Sequence, residues 1–170
     1  VNSTIKKKGK VLLPVLGVGR AQEILLILEK LMRNKRIPEL IVYLDGMVWD
    51  VNAIHTAYPE FLNSNVRKRI FHADSNPFLK ECFKQVGSKK ERDKVIEDEG
   101  SCIIMATSGM LVGGSSVEYL RRLADNPKNS LIFNCYQAGG TLGRRVQSGE
   151  KEFVVKSGQK QELVPIKLRV

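Results

Sequence analysis

The chain has 170 residues, of which 42% are hydrophobic, so it is long enough to bury a core of its own, and its length favours one domain. Its 28 basic and 18 acidic residues give a formal net charge of +10, which favours a polyanionic partner, RNA or DNA well before an anionic membrane surface. No apolar run approaches the roughly 18 residues of a membrane helix, and the first residues lack the order of a signal peptide, so we expect a soluble protein with no membrane partner.

Three cysteines, Cys82, Cys102 and Cys135, stand far apart in the sequence. Two of them lie inside apolar, strand-like runs, where a thiol behaves as a small buried hydrophobe. Their spacing and surroundings predict a reducing environment and therefore a cytoplasmic protein.

The first half of the chain alternates strand and helix patterns. Residues 10–16 form a nearly continuous apolar run, typical of a strand covered on both faces, and Pro14 indicates its end or an irregular hydrogen bond. Apolar side chains at spacings of three and four predict a helix over residues 20–36. A second strand is predicted over residues 39–44, with a helix near residues 49–58 after it.

Residues 59–100 carry a weaker signal, which predicts short helices. They contain a turn at residues 76–78, an amphipathic helix over residues 79–86 and a charged helical stretch over residues 88–99. No strand is predicted in this region.

The alternation returns with strands predicted over residues 101–106 and 130–135 and a helix over residues 115–124 between them. Strands that alternate with helices imply an α/β fold with a mainly parallel sheet flanked by helices.

Beyond Gly149 the pattern changes to two short strands around a turn at Ser157 and Gly158, which predicts an antiparallel hairpin. We therefore divide the chain into a main domain, residues 1–150, and a C-terminal hairpin extension, residues 151–170.

Glycine and polar residues fill the loop after each of the four predicted strands. In an open parallel sheet these loops meet at one edge, where ligands bind. The loop over residues 134–145 crosses Gly139 and Gly140 and delivers Arg144 and Arg145, a combination that lets backbone amides and guanidinium groups approach phosphate. Turns and helix caps also need glycine, serine and threonine, so a structural role stays open for each single loop. Four such loops on one edge predict a phosphate-binding rim.

Two nucleotide-binding motifs are incomplete. Gly17 and Gly19 begin a dinucleotide fingerprint, but Gln22 occupies its third glycine position, and Asp45 lies too far along the chain to serve as the acidic residue of that motif. The Gly-Lys-Ser or Gly-Lys-Thr of a phosphate loop does not occur in the sequence. Both classical nucleotide sites are therefore disfavoured.

The sequence contains few residues suited to a metal site and no recognisable nucleophile motif. The sequence holds two histidines, and His72-Ala73-Asp74 is its one hint of a metal site, although a turn explains that pattern better. His55 lies on a predicted helix, where packing is favoured over a place at the edge of the sheet. Ser108 lacks the flanking glycines of a nucleophile elbow. The sequence thus predicts a phosphate-binding rim without a reaction centre.

Four pairs of motifs follow one another from about residue 3 to residue 150, each joining a strand to the loop or helix after it. They are Val11-Leu12-Leu13-Pro14-Val15 with Gly19-Arg20-Ala21-Gln22-Glu23, Tyr43-Leu44-Asp45-Gly46-Met47 with Ala53-Ile54-His55-Thr56-Ala57-Tyr58-Pro59, Ala106-Thr107-Ser108-Gly109-Met110-Leu111 with Gly113-Gly114, and Tyr136-Gln137-Ala138 with Gly140-Thr141-Leu142-Gly143-Arg144-Arg145. This set resembles the β-CASP domain, and most closely that of the archaeal homologues of the cleavage and polyadenylation specificity factor nuclease.

The resemblance implies a Rossmann-like domain inserted in a metallo-β-lactamase nuclease. In that family, two zinc ions are held by the lactamase part, whose His-x-His-x-Asp-His motif does not occur in this sequence. We therefore expect an excised insertion domain with no cofactor of its own and no activity alone. Its expected partners are single-stranded RNA and the metallo-β-lactamase domain of the same parent, and a homo-oligomer is left open.

The implied function is to close the cleft and grip the RNA while the zinc-bearing part cleaves it as an endoribonuclease. Exonuclease activity in the 5′–3′ direction, and a role in mRNA 3′-end processing or RNA decay, belong to the same expectation. The residues expected to contact RNA or its phosphates are Arg20, Ser108, Gly109, Gly114, Ser115, Tyr136, Thr141, Arg144 and Arg145. Arg20 could instead brace Glu23, and Gly139 stands where the family usually has an acidic residue.

Two other functions stay open at this point. The chain could be a non-catalytic RNA-binding or assembly module, as in family members whose zinc ligands have been lost. It could also be a free-standing α/β domain that binds a mononucleotide, a weaker alternative because no complete nucleotide motif is present.

Overall fold

A five-stranded parallel sheet forms the centre of the molecule. The computed structural model describes residues 1–71, 76–157 and 160–170. The strand order is β3-β2-β4-β1-β5, and every neighbouring pair is parallel. The strands are β1 (Val11–Pro14), β2 (Val42–Asp45), β3 (Phe83–Val86), β4 (Ile103–Ala106) and β5 (Ser130–Leu131). The predicted α/β fold with a parallel sheet is confirmed.

Helices connect the strands and cover both faces of the sheet. They are α1 (Asn2–Lys6), α2 (Arg20–Arg33), α3 (Val48–Ala57), α4 (Ser64–Phe71), α5 (Lys89–Glu97), α6 (Ser115–Leu123) and α7 (Leu142–Gln147), with a short 3₁₀ helix at Pro59–Phe61. Among the described residues, no helix is long and apolar enough to cross a membrane.

Each central strand sends alternate side chains into two separate cores. Leu12 and Ile104 point to a core shared with α5 and α6, whereas Leu13 and Ile103 point to a core shared with α2 and α3. A strand with apolar side chains on both faces must be covered on both. This explains the continuous apolar run of β1, all four residues of which are buried.

The carboxyl ends of three strands stand side by side. Pro14 pairs with Ala106, and Ala106 pairs with Asp45 on its other side. The loops that follow β1, β2 and β4 therefore start from one line at one edge of the sheet.

Pro14 also limits the pairing of β1 with β5. The Ile132 amide donates to Leu12 O at 2.9 Å, but proline has no N–H with which to continue the ladder. Instead, Asn134 Nδ2 donates to Pro14 O at 3.0 Å. The fourth predicted strand, residues 130–135, consequently shortens to Ser130–Leu131, and the irregular hydrogen bond expected at Pro14 is confirmed.

The amphipathic helix predicted over residues 79–86 is wrong. Phe83–Val86 forms β3 at the edge of the sheet, where it pairs with β2 alone. Lys84 and Gln85 are exposed in the middle of the strand, as expected where one side has no neighbour. The turn predicted after Asn76 and the charged helix, α5, are both present.

The predicted C-terminal hairpin is present, with strands β6 (Glu152–Ser157) and β7 (Lys160–Pro165) paired antiparallel. Gly158, in its predicted turn, lies outside the described residues. Phe153 and Val164 are buried in the core shared with α6. The segment after β7 is also anchored, because the amides of Lys167 and Leu168 donate to Ala124 O at 2.8 and 2.9 Å.

Candidate functional site

Four loops at the carboxyl edge of the sheet pack against one another. We call them the rim, and include the helix residues that adjoin them: residues 15–20 after β1, 46–47 after β2, 107–115 after β4 and 132–145 after β5. A methyl group placed on Gly17 would lie 2.5 Å from Met47 Sδ, and one on Gly46 would lie 2.5 Å from Thr107 Oγ1. The four loops predicted to meet at one edge do so.

Gln137 is the residue that fastens the last loop to the others. Its side chain is buried, and its Nε2 donates to Gly109 O at 3.0 Å and to Cys135 O at 3.1 Å. The Gly143 amide donates to Met110 O at 3.1 Å beside it. Sequence reasoning missed this role because nothing local distinguishes a buried glutamine in a glycine-rich loop from an exposed one.

The serines after β4 use their hydroxyls within the loop. Ser108 Oγ donates to Gly113 O at 3.1 Å and accepts from the Val112 amide at 3.0 Å. Ser115 Oγ donates to Thr107 O at 3.3 Å, and Ser116 Oγ donates to Ser108 O at 2.7 Å. These side chains hold the shape of the loop.

Glycines at two predicted positions permit that shape. Gly114, the N-cap of α6, has φ of 74°, and a side chain there would collide with Thr107 O at 2.6 Å. A methyl group on Gly109 would lie 3.0 Å from both Leu16 N and Cys135 Sγ. Gly114 is fixed by close packing within its own loop and Gly109 by close packing against the loops after β1 and β5, and neither position leaves room for a side chain.

Thr141 caps the helix that carries the two adjacent arginines. Its Oγ1 accepts from the Arg144 amide at 3.1 Å and donates to Ala138 O at 2.7 Å. This cap begins α7 (Leu142–Gln147), a helix that sequence analysis left as part of a loop. The hydroxyl of Thr141 thus positions Arg144 and Arg145.

The three predicted arginines differ in how they are held. Arg20 Nη1 pairs with Glu23 Oε2 at 2.6 Å, the bracing contact considered for it, and both side chains are about half exposed. Arg145 Nε donates to Glu150 Oε2 at 2.7 Å, and its Nη2 donates to the other carboxylate oxygen. Arg144 is exposed and donates to a neutral group, Gln147 Oε1, at 3.3 Å.

Titration shifts agree with these contacts. The hydrogen bond from Arg145 lowers the pKa of Glu150, and the same bond raises the pKa of Arg145. Burial raises the pKa of the Cys135 thiol, and this rise is opposed by the Gln137 hydrogen bond and the charge of Arg20.

Exposed apolar side chains also belong to the rim, and sequence analysis anticipated one of them, Tyr136. Its side chain is 74% exposed. Leu16 and Val18 after β1, Met47 after β2 and Val112 after β4 are exposed as well. The rim therefore offers cations, backbone groups and apolar contacts on one surface.

A buried ion pair supports the rim from below. Asp45, the last residue of β2, is 2% exposed and accepts from Arg92 Nε at 2.8 Å and Arg92 Nη2 at 3.0 Å. Tyr119 Oη donates to the same carboxylate at 3.0 Å. Burial is the main cause that raises the pKa of Tyr119. The Asp45 carboxylate therefore joins β2 to α5 and α6 through these hydrogen bonds.

The described residues do not fit a zinc site. They contain no group of three or more histidine, cysteine, aspartate or glutamate residues that could hold a metal ion. His72 and Asp74, the one hint in the sequence, lie outside the described residues. His55 packs edge-on against Phe78, with ring centroids 5.9 Å apart, and its Nδ1 lies 2.8 Å from Val51 O. The packed interpretation of His55 is confirmed.

Comparison with known proteins agrees with the motifs. A family model described as the Beta-Casp domain matches residues 21–146. The chain is 56% identical to the transcription termination factor FttA of Methanocaldococcus jannaschii and 50% identical to that of Thermococcus kodakarensis, in each case over 171 aligned residues that cover the whole chain. FttA of Lokiarchaeum sp. is 52% identical over 153 residues, 90% of the chain. The chain spans about a quarter of the length of these relatives: 27%, 26% and 24%. Because the family model covers most of the chain, including the loops after β2, β4 and β5, the chain belongs to the β-CASP domain family.

Proposed function

We propose that this chain is the RNA-gripping domain of a larger zinc-dependent endoribonuclease, and that its rim holds the strand while another part of the parent protein cleaves it. The observation that carries this proposal is the single surface formed by four loops, on which Arg20, Arg144 and Arg145 stand beside exposed apolar side chains. Cations match phosphate oxygens, and apolar or aromatic side chains match bases. A net charge of +10 supports a polyanionic partner.

The rim residues divide between contact and positioning in this proposal. Arg144, exposed and paired with a neutral group, is the cation that reaches phosphate directly. Arg20 and Arg145 are each oriented by a glutamate and offer their remaining N–H groups. Ser108, Gly114, Ser115 and Thr141 keep the loops in shape, with Gly109 close-packed among them, and Tyr136 contacts a base.

The zinc ions would be held outside this chain. The two ions expected in the family are held there by the metallo-β-lactamase part, and we propose the same for the parent of this chain, whose described residues contain no group of metal ligands. The rim would then orient RNA towards that part and close the cleft over the strand. We also propose the division into a domain of residues 1–150 and an extension of residues 151–170 that leads back to the lactamase part.

The cellular role follows from the relatives. They are called transcription termination factors, so we propose that the RNA held by the rim is a transcript whose 3′ end is being formed. Endonuclease activity, with 5′–3′ exonuclease activity as an extension, belongs to the parent protein. A cytoplasmic location and a homo-oligomer belong to the same proposal.

A non-catalytic RNA-binding or assembly module is the second candidate. In this candidate the rim binds RNA as in the first, but the parent protein lacks the zinc ligands needed for cleavage. Intact histidine and aspartate motifs on either side of this chain in the parent gene would support the nuclease, whereas substituted motifs would support the module. A free-standing mononucleotide-binding domain is a third reading, and titration calorimetry without a binding signal for any mononucleotide would remove it.

Removing two rim arginines together tests the proposal. We expect Arg144→Ala plus Arg145→Ala to weaken binding of single-stranded RNA and to make the slope of log K against log salt shallower by about 1.4, because each lost phosphate contact removes about 0.7. Fluorescence anisotropy with a labelled 20-nucleotide RNA over a salt series measures both quantities.

The matched control is Lys6→Ala plus Lys7→Ala. It removes the same charge from exposed residues that precede β1, at the opposite edge of the sheet. The proposal expects a smaller change in this variant. Equal losses of RNA affinity in the two variants would mean that net charge alone determines binding. That result would contradict the role of the rim.

A further inference from the structure

A second surface exposes aromatic and aliphatic side chains away from the rim. Phe61 is 84% exposed and Phe71 is 68% exposed, and Ile54, Tyr58 and Leu79 also stand more than half exposed. Neither of the two cores beside the sheet includes any of these side chains. Apolar side chains exposed to this degree contribute little to the stability of the fold, which marks them as candidates for binding.

Several of these residues border one groove. A cavity of about 520 Å³ lies between the end of α3, the 3₁₀ helix, the end of α4 and the turn after it, with Pro59, Ile70, Phe71 and Leu79 in its wall. Phe61 adjoins this wall in sequence, because it ends the 3₁₀ helix Pro59–Phe61, whose Pro59 and Glu60 line the cavity and which contacts α4. We call Pro59, Phe61, Ile70, Phe71 and Leu79 the aromatic groove.

The helix α4 next to the groove carries positive charge, and the wall itself contains one acidic residue, Glu60. The sequence of α4 (Ser64–Phe71) contains no acidic residue, and its Arg67 and Lys68 are exposed. Arg69 has a structural partner, because its Nη2 lies 2.9 Å from the buried carboxylate of Glu29 on α2. This ion pair fastens α4 to the body of the domain, so the two neighbouring cations are presented on a fixed helix.

Exposed rings flanked by cations on a rigid helix fit single-stranded nucleic acid. Bases stack on aromatic faces, and phosphates pair with arginine and lysine. A purely apolar protein partner would cover the rings but would leave Arg67 and Lys68 without complementary charge.

We propose that the aromatic groove is a second contact for single-stranded RNA, in which bases stack on Phe61 and Phe71 while Arg67 and Lys68 contact the phosphates. The proposal rests on the RNA-binding function of the rim and extends it. A strand that leaves the rim would be held at two places by one domain, which would raise the affinity for long RNA above that for short RNA.

Conservative substitutions of Phe61 test the stacking. We expect Phe61→Leu, in the full-length protein that contains this chain, to lower the affinity for a 20-nucleotide oligouridylate about tenfold, because leucine keeps apolar area but has no aromatic face. Phe61→Tyr is the matched control, since it keeps the ring, and its RNA affinity should stay within about twofold of that of the unsubstituted protein. Phe71→Leu should behave as Phe61→Leu does. Anisotropy titration supplies the affinities, and thermal unfolding verifies the fold of each variant.

The outcomes separate this proposal from the function it extends. If Phe61→Leu and Phe71→Leu bind as the parent does while Arg144→Ala plus Arg145→Ala binds weakly, the groove serves a protein partner and the proposal fails, although the rim stands. If Phe61→Tyr loses as much RNA affinity as Phe61→Leu, the proposal that bases stack on Phe61 is wrong. If the arginine variant and both leucine variants all bind normally, the RNA-binding function fails with it.

Discussion

Replacing Asp45 by asparagine is expected to lower the free energy of unfolding by about 3 kcal/mol, since breaking a buried ion pair by removing one partner costs about 3–5 kcal/mol. Asparagine keeps the shape of aspartate but offers one acceptor, where the carboxylate now accepts from Arg92 twice and from Tyr119 once. The lower end of the range applies because the Arg92 side chain is 22% exposed and keeps some water. Urea unfolding followed by circular dichroism measures the change.

An exposed ion pair provides the control for Asp45. Asp125 pairs with Lys167 at 2.6 Å, and both side chains are about 60% exposed. Asp125→Asn should change the free energy of unfolding by less than about 1 kcal/mol, the usual range for a surface pair. A similar loss in both variants would contradict the role of Asp45 as the support between β2, α5 and α6.

Gly143→Ala is expected to have the second largest effect, a loss of about 2–3 kcal/mol of unfolding free energy together with weaker RNA binding. The added methyl group would overlap Gln137 Oε1 and would lie 2.8 Å from Met110 O. Gln137 cannot move aside without losing its bonds to Gly109 O and Cys135 O. Relief of the overlap must therefore separate the loops after β4 and β5, which together form much of the rim. Chemical unfolding and RNA anisotropy measure the two losses.

Gly139→Ala, in the same loop, is the matched control. Nothing lies within 4 Å of a methyl group at Gly139, so we expect a change in unfolding free energy of less than about 0.5 kcal/mol and unchanged RNA binding. If Gly143→Ala were as well tolerated as Gly139→Ala, the close approach of the two loops would not exist in solution.

Strand β3 illustrates where the sequence misleads. Leu79, Cys82, Phe83 and Val86 follow the spacing of an amphipathic helix, so the periodicity predicts one. Tertiary pairing with β2 decides otherwise, because an edge strand needs apolar residues only where it meets the helices, and here these are Phe83 and Val86. The spacing of three residues between Phe83 and Val86 occurs in both structures.

Strand β1 illustrates the opposite. Its unbroken apolar run predicts burial on both faces, which the two cores confirm, and Pro14 marks the irregular bond that ends pairing with β5. A single residue with no N–H carries this information in the sequence itself. The order of the strands in the sheet, in contrast, depends on pairings between distant segments.

The location of the rim was predictable, but the roles of its side chains were not. Sequence position indicates that Ser108, Thr141 and Arg145 lie at the carboxyl edge of the sheet. Their partners, Gly113 O, the Arg144 amide and Glu150, depend on how each loop turns. A hydroxyl suited to phosphate is equally suited to a helix cap, and local sequence does not separate the two uses.

The aromatic groove was missed for a related reason. Phe61 and Phe71 of the groove, and the exposed Tyr58 before them, are spread over 14 residues with no regular spacing, as side chains of a buried core often are. Their exposure emerges only once the two cores are complete without them. Aromatic residues in a weakly patterned segment can therefore be interpreted as core or as binding surface from sequence alone.

The division of labour between this domain and the rest of its parent is tested most directly by mixing the chain alone with a labelled single-stranded RNA and following binding and RNA length in the same samples. The account predicts binding that weakens about tenfold or more between 50 and 200 mM salt, and RNA recovered at full length with or without added zinc. RNA cut by this chain in a zinc-dependent manner, or no binding at 50 mM salt, would contradict it.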